Sequence, residues 1–155
     1  MVSPGNPLKT RGPAPISERV QAARALMRHP RVHVTDLEAG LGTRYTAQTL
    51  RALQRRNPGV RFVWLMGADN LASFHKWENW RDIMQLIPVA VMARPGQRIS
   101  ARMSPAARLF RRYKLRAREA MRIADQPTPA WVFVNVPMID MSSTRIRAKG
   151  EWRHD

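Results

Sequence analysis

At 155 residues and 44% hydrophobic, the chain has material for one globular core and little surplus for a second. It contains no cysteine, which excludes a disulfide framework, a thiolate nucleophile and a cysteine-based metal site. The 27 Lys and Arg against 11 Asp and Glu leave a formal charge of +16. That balance suits a polyanionic partner such as nucleic acid, anionic nucleotide substrates, or merely solvated arginine-rich helix faces.

Prolines at positions 4, 7, 13 and 15 make the first 15 residues read as the end of a strand followed by a mobile polar loop. They also occupy the place where a signal peptide needs its apolar core, and no later apolar run approaches the roughly 20 residues of a membrane span. A cytoplasmic protein with no membrane partner is expected. Ser17 is placed to cap a helix through about Arg28, with Ile16, Val20, Ala23 and Met27 at helical spacing. Arg31 to Thr35 alternates as a strand does, with Val32 and Val34 on one face. Thr46 opens a further helix, whose Leu50 and Leu53 form an apolar stripe ending at Asn57-Pro58-Gly59.

Val60 to Met66 is nearly all apolar, as suits a strand buried on both faces of a parallel sheet, and it stops at Gly67-Ala68-Asp69-Asn70. A helix with Trp80, Ile83, Met84 and Ile87 follows, then a second strand from Val89 to Ala93. A long basic helical region from about Ser104 to Ala124 leads to a strand over Trp131 to Val136, and Ser142-Ser143-Thr144 heads a final short helix. This alternation predicts a parallel α/β sheet, with ligands bound beyond the carboxyl ends of its strands.

Three constellations lie there. Thr46 sits where the free N–H groups of a helix start can receive an anion, although a Thr before a helix is more often just an N-cap. In the Gly67 to Trp80 segment, Gly67 follows a strand and leaves room for close approach of a ligand. The Asp69 carboxylate can accept from ribose hydroxyls. Trp77 can stack on a planar heterocycle or simply seal a helix junction, whereas Trp80 shares the apolar stripe and reads as core. Ser142, Ser143, Thr144, Arg145 and Arg147 bring hydroxyls, helix-start amides and guanidinium groups into one stretch, which makes a phosphate cradle or a capped helix with surface arginines.

Taken in order, five blocks resemble the nicotinate-nucleotide adenylyltransferases of the H-x-G-H nucleotidyltransferase superfamily. They are Ser3-Pro4-Gly5-Asn6-Pro7-Leu8-Lys9, Thr43 to Leu50, Phe62 to Asn70 with its following tryptophans, Arg94-Pro95-Gly96, and Ser142 to Arg147. The resemblance implies a Rossmann-like parallel sheet with flanking helices, ATP and nicotinate mononucleotide as substrates, and Mg²⁺ accompanying ATP. It implies that Thr46 and nearby amides hold the nicotinate carboxylate, that Trp77 stacks on the pyridine ring, and that Gly67 and Asp69 contact the nucleotide. Ser142, Ser143, Thr144 and Arg147 would hold ATP phosphates, and Lys9 would add a contact from its loop.

The signature G-x-F-x-P-x-H-x-G-H is matched nowhere; His29, His33, His75 and His154 have neither its spacing nor its glycine. The catalytic residues of that motif are therefore unassigned. The expectation is a single, N-terminally incomplete nucleotidyltransferase domain over residues 1–155, in which Met1 is an internal methionine and the first strand and first helix lie upstream. Two other readings stay open: an inactive or incomplete fragment of such an enzyme, and a basic nucleic-acid-binding protein.

Overall fold

The computed structural model describes residues 1–5, 14–93 and 98–135, the side chain of Arg98 excepted. The chain divides into two compact units, Met1–Val60 and Arg61–Asp155.

In the first unit, α1 spans Ile16–Leu26, α2 Leu37–Gly40 and α3 Thr46–Arg56. The start of α1 differs from the sequence expectation. Pro15, not Ser17, is the N-cap, because its carbonyl already accepts from Arg19 N–H at 3.2 Å; the fixed φ of proline suits it to lead into a first turn. The expected strands at the amino terminus and over residues 31–35 do not form. Val2 N–H donates to Thr35 O at 2.7 Å, but the next donor on that side would be Pro4, which has no N–H to extend a ladder. Side chains of α1 hold these segments instead: Arg19 Nη2 donates to Ser3 O at 2.7 Å and Arg24 Nη2 to Val34 O at 3.4 Å.

The second unit carries a sheet of four parallel strands: β1 Trp64–Gly67, β2 Val89–Met92, β3 Lys114–Leu115 and β4 Trp131–Val134, in the order β1-β2-β4-β3. Strand β1 is shorter than the apolar run that contains it. Its ladder begins at Trp64, whose N–H donates to Pro88 O at 2.9 Å; Pro88 has no N–H to carry pairing further back. Nor is β1 buried on both faces, since it has one neighbour in the described sheet and Leu65 is 63% exposed. The apolar β2 is buried from Val89 to Val91, with Val89 and Val91 at 0% exposure, and only its last residue, Met92, is exposed, as suits an inner strand.

Register divides the side chains between two faces. Ala90, Val132 and Leu115 are aligned and pack with Ile123 of a 3₁₀ segment, Ala117–Asp125. On the opposite face Val89 aligns with Trp131 and Val91 with Phe133. That face is covered by the residues after β2, where α6 (Arg98–Arg102) and α7 (Pro105–Leu109) lie. Trp131 Nε1 donates to Phe110 O at 2.8 Å, and the Arg102 guanidinium lies 4.9 Å from the Phe133 ring centroid.

The expected long helix over 104–124 is thus broken into α7, a 3₁₀ turn at Arg111–Tyr113, β3 and the 3₁₀ segment. Pairing of Lys114 and Leu115 with β4 draws the backbone out of helical geometry, an instance of tertiary pairing overriding local propensity. Ser104 restarts the helix. Its buried hydroxyl accepts from Ala107 N–H at 3.2 Å, with Pro105 at the first helical position. Ser104→Ala is expected to cost about 1 kcal/mol of stability in a denaturant melt, and Ser104→Asp, which keeps an acceptor, less.

Candidate functional site

Beyond the carboxyl end of β1 the chain turns directly into α4, Ala68–Ser73, then a 3₁₀ turn, Phe74–Lys76, then α5, Trp80–Leu86. Gly67 is the last residue of β1 and the N-cap of α4, with φ −77° and ψ 159°. That conformation is open to any residue, so what the glycine contributes is a strand end without a side chain. Asp69 is in the first turn of α4, half-buried, where a carboxylate is favoured by the helix start.

Phe74 and Trp80 are buried and mutually edge-on at 6.1 Å, and Trp80 continues edge-on to Phe110 at 6.0 Å. Trp80 is core, as its spacing predicts. Trp77 is different: it follows the 3₁₀ turn in extended conformation, touches Phe74 edge-on at 5.3 Å and remains half-buried. Asn79, at φ 50°, makes the left-handed step that starts α5. Gly67, Asp69 and Trp77 lie along the stretch that runs from the end of β1 to the start of α5.

In the other unit, Thr46 is the first residue of α3 rather than its cap. Tyr45 is the N-cap and makes no side-chain capping bond. Tyr45 O accepts from Gln48 N–H at 3.0 Å and Thr49 N–H at 3.1 Å, while the N–H groups of Thr46 and Ala47 have no place in the intrahelical ladder. Ala47 is fully buried, so the donors at the surface of this turn are the N–H and hydroxyl of half-buried Thr46, groups of the kind a carboxylate or phosphate accepts from. The Arg44 guanidinium lies 5.7 Å from the Tyr45 ring centroid, which adds positive charge to the same turn.

A buried hydrogen-bond chain behind this turn was not visible in the sequence. Glu38 and Thr49 are 3% and 0% exposed; Thr49 Oγ1 lies 3.1 Å from Glu38 Oε1 and 2.7 Å from Thr43 Oγ1. A glutamate beside leucine in a four-residue helix carries no signal of burial, since glutamates are by default exposed. Lys9, Ser142, Ser143, Thr144 and Arg147 lie outside the described residues, as does the Arg94-Pro95-Gly96 block.

A model of the cytidylyltransferase-like family matches residues 1–149. The chain belongs to the cytidylyltransferase-like family. Within that family it is 62% identical, over 98% of its own length and 71% of the relative's, to a probable nicotinate-nucleotide adenylyltransferase of Ruegeria pomeroyi. A protein of the same name from Cereibacter sphaeroides is 63% identical over 99% of this chain and 81% of that protein. A relative so named in Methylorubrum extorquens is 48% identical. Among solved structures, a Plasmodium falciparum nicotinic acid mononucleotide adenylyltransferase complexed with APC superposes with a TM-score of 0.53 at 13% identity. It covers 86% of this chain, which spans 58% of that one; this likeness is one of fold, a parallel α/β sheet with flanking helices. Among the described residues no helix of this cytidylyltransferase-like chain is long and apolar enough to cross a membrane.

Proposed function

We propose that this chain carries out adenylyl transfer from ATP to nicotinate mononucleotide, giving nicotinate adenine dinucleotide and pyrophosphate. The observation that carries the reading is 63% identity, across 99% of the chain, with a protein named for that reaction. A single family model over both units supports treating them as one nucleotidyltransferase domain, and a cytoplasmic setting follows from its substrates.

In the reaction, a 5′-phosphate oxygen of nicotinate mononucleotide attacks the α-phosphorus of ATP. A P–O bond forms there, the bond to the β-phosphate bridge breaks, and pyrophosphate leaves with that electron pair. Catalysis of this kind rests on positioning and on charge stabilisation at the phosphorus. Thr46 and the first-turn amides of α3 would hold the nicotinate carboxylate. Trp77 would stack on the pyridine ring, and Gly67 and Asp69 would meet the nucleotide, Asp69 through a ribose hydroxyl. Ser142, Ser143, Thr144 and Arg147, with Lys9, would hold the triphosphate.

Mg²⁺ would enter with ATP. Among the described residues no three His, Cys, Asp or Glu side chains converge to hold a metal ion, so they do not fit a resident ion; phosphate oxygens and water suit Mg²⁺ better.

A nucleic-acid-binding reading draws on the charge of +16, but several arginines are engaged in structure. Arg19 and Arg24 bind backbone carbonyls, Arg61 pairs with Asp125, and Arg81 and Arg102 lie over aromatic rings. Calorimetry separates the two. Nicotinate mononucleotide is expected to bind, and the nicotinamide form about ten-fold or more weakly, since an amide NH₂ turned toward backbone N–H donors leaves them unpaired. Binding to RNA or DNA with a steep salt dependence, and to neither mononucleotide, would reverse the assignment.

A further inference from the structure

We propose that Glu38 is a positioning residue for the head of α3: buried behind the turn and without touching substrate, it fixes Thr46 and its neighbouring amides through Thr49 and Thr43. The inference rests on Thr46 being the nicotinate contact.

The geometry makes one chain of hydrogen bonds. Each threonine hydroxyl has a single proton. Thr49 Oγ1 lies 3.1 Å from Glu38 Oε1, 3.3 Å from Tyr45 O and 2.7 Å from Thr43 Oγ1; when its proton goes to Glu38, Thr43 donates to Thr49 and the order runs Thr43 to Thr49 to Glu38. Thr43 N–H also donates to Glu38 O at 3.2 Å. On the far side of the turn, Tyr45 O is fixed by the N–H groups of Gln48 and Thr49. Residues 43 and 45 are therefore both tied down, one through Glu38 and one through α3, and Thr46 follows directly.

The arrangement is costly for what it bonds. Glu38 is 3% exposed, yet its Oε2 is buried with no hydrogen-bond partner among the described residues, and a buried carboxyl with half its acceptors unused is a poor source of stability. A neutral acceptor would serve Thr49 at lower cost. What the buried acceptor adds is a fixed anchor for the Thr49 hydroxyl, and through it for a turn whose donors must meet a ligand within a few tenths of an ångström.

The test uses calorimetric titration of the whole chain with nicotinate mononucleotide and, separately, with ATP. Glu38→Ala and Thr49→Val are each expected to weaken nicotinate mononucleotide binding by about ten-fold and to leave ATP binding within about two-fold. Thr49→Ser, which keeps the hydroxyl, and Glu38→Gln, which keeps an acceptor, should recover most of the loss. The double variant Glu38→Ala with Thr49→Val should be no weaker than the worse single one, because both cut the same chain. If Thr49→Ser loses as much as Thr49→Val, or both ligands weaken together, the role is packing alone and the proposal is overturned. The Thr49 pair decides the matter even if Glu38→Ala does not fold. Failure of the unaltered chain to bind nicotinate mononucleotide would overturn the assignment of Thr46 itself, before any variant is compared.

Discussion

Replacing Trp131 with alanine is expected to remove about 3–5 kcal/mol of stability, a large part of the roughly 5–15 kcal/mol that a domain commands. Trp131 is 2% exposed on β4, aligned with Val89 of the central strand and with Lys114 of β3. Its loss opens a cavity between the sheet and the segment after α7. It also strands Phe110 O, which accepts from Trp131 Nε1 at 2.8 Å within buried surroundings. Trp131→Phe separates the two effects: most of the ring volume stays, the donor goes, and about 1–3 kcal/mol should be lost. Urea unfolding followed by circular dichroism measures both. A loss below about 1 kcal/mol for the alanine variant would mean that β4 is not the packing centre of its unit.

Trp77→Ala should behave in the opposite sense, sparing stability and striking binding. The indole is half-buried and meets the buried Phe74 ring edge-on. Stacking of a heterocycle on an aromatic side chain contributes about 1–3 kcal/mol, so affinity for nicotinate mononucleotide should fall about 10- to 100-fold. ATP affinity should change little. Trp80→Ala is the control three residues on: buried between Phe74 and Phe110, it should lower the melting temperature and affect both ligands only through unfolding. Equal behaviour of the two variants would remove the reason for assigning Trp77 to the pyridine ring.

The contrast between these tryptophans was legible in the sequence, because Trp80 shares the apolar stripe with Ile83 and Met84 while Trp77 lies between two helical pieces. The parallel sheet was legible for the same kind of reason: Val89 to Met92 and Trp131 to Val134 are apolar on both faces, which fits enclosed strands. What local pattern could not reveal was set by partners distant in the chain. Lys114 and Leu115 look helical in a basic stretch and become a strand through pairing with β4. Val60, expected in a strand, is 53% exposed, and its N–H donates to Asn57 O at 3.1 Å in the turn that follows α3. The Glu38 chain is hidden for a further reason: it joins residues 6 and 11 positions apart through side chains, a contact that neither period nor propensity encodes.

Thr46 illustrates how structure altered the weight of a sequence feature. A threonine before a helix is ordinarily spent on capping. Here Tyr45 takes the cap position and makes no side-chain capping bond, and Thr46 is the first helical residue.

The most direct test of adenylyl transfer to nicotinate mononucleotide is product analysis of the gene product incubated with ATP, Mg²⁺ and that mononucleotide. Nicotinate adenine dinucleotide and pyrophosphate should appear in equal amounts, with the nicotinamide mononucleotide a poorer acceptor by about ten-fold or more. Pyrophosphate release from a different pair, such as CTP and another phosphate ester, with no dinucleotide formed from nicotinate mononucleotide, would contradict the account.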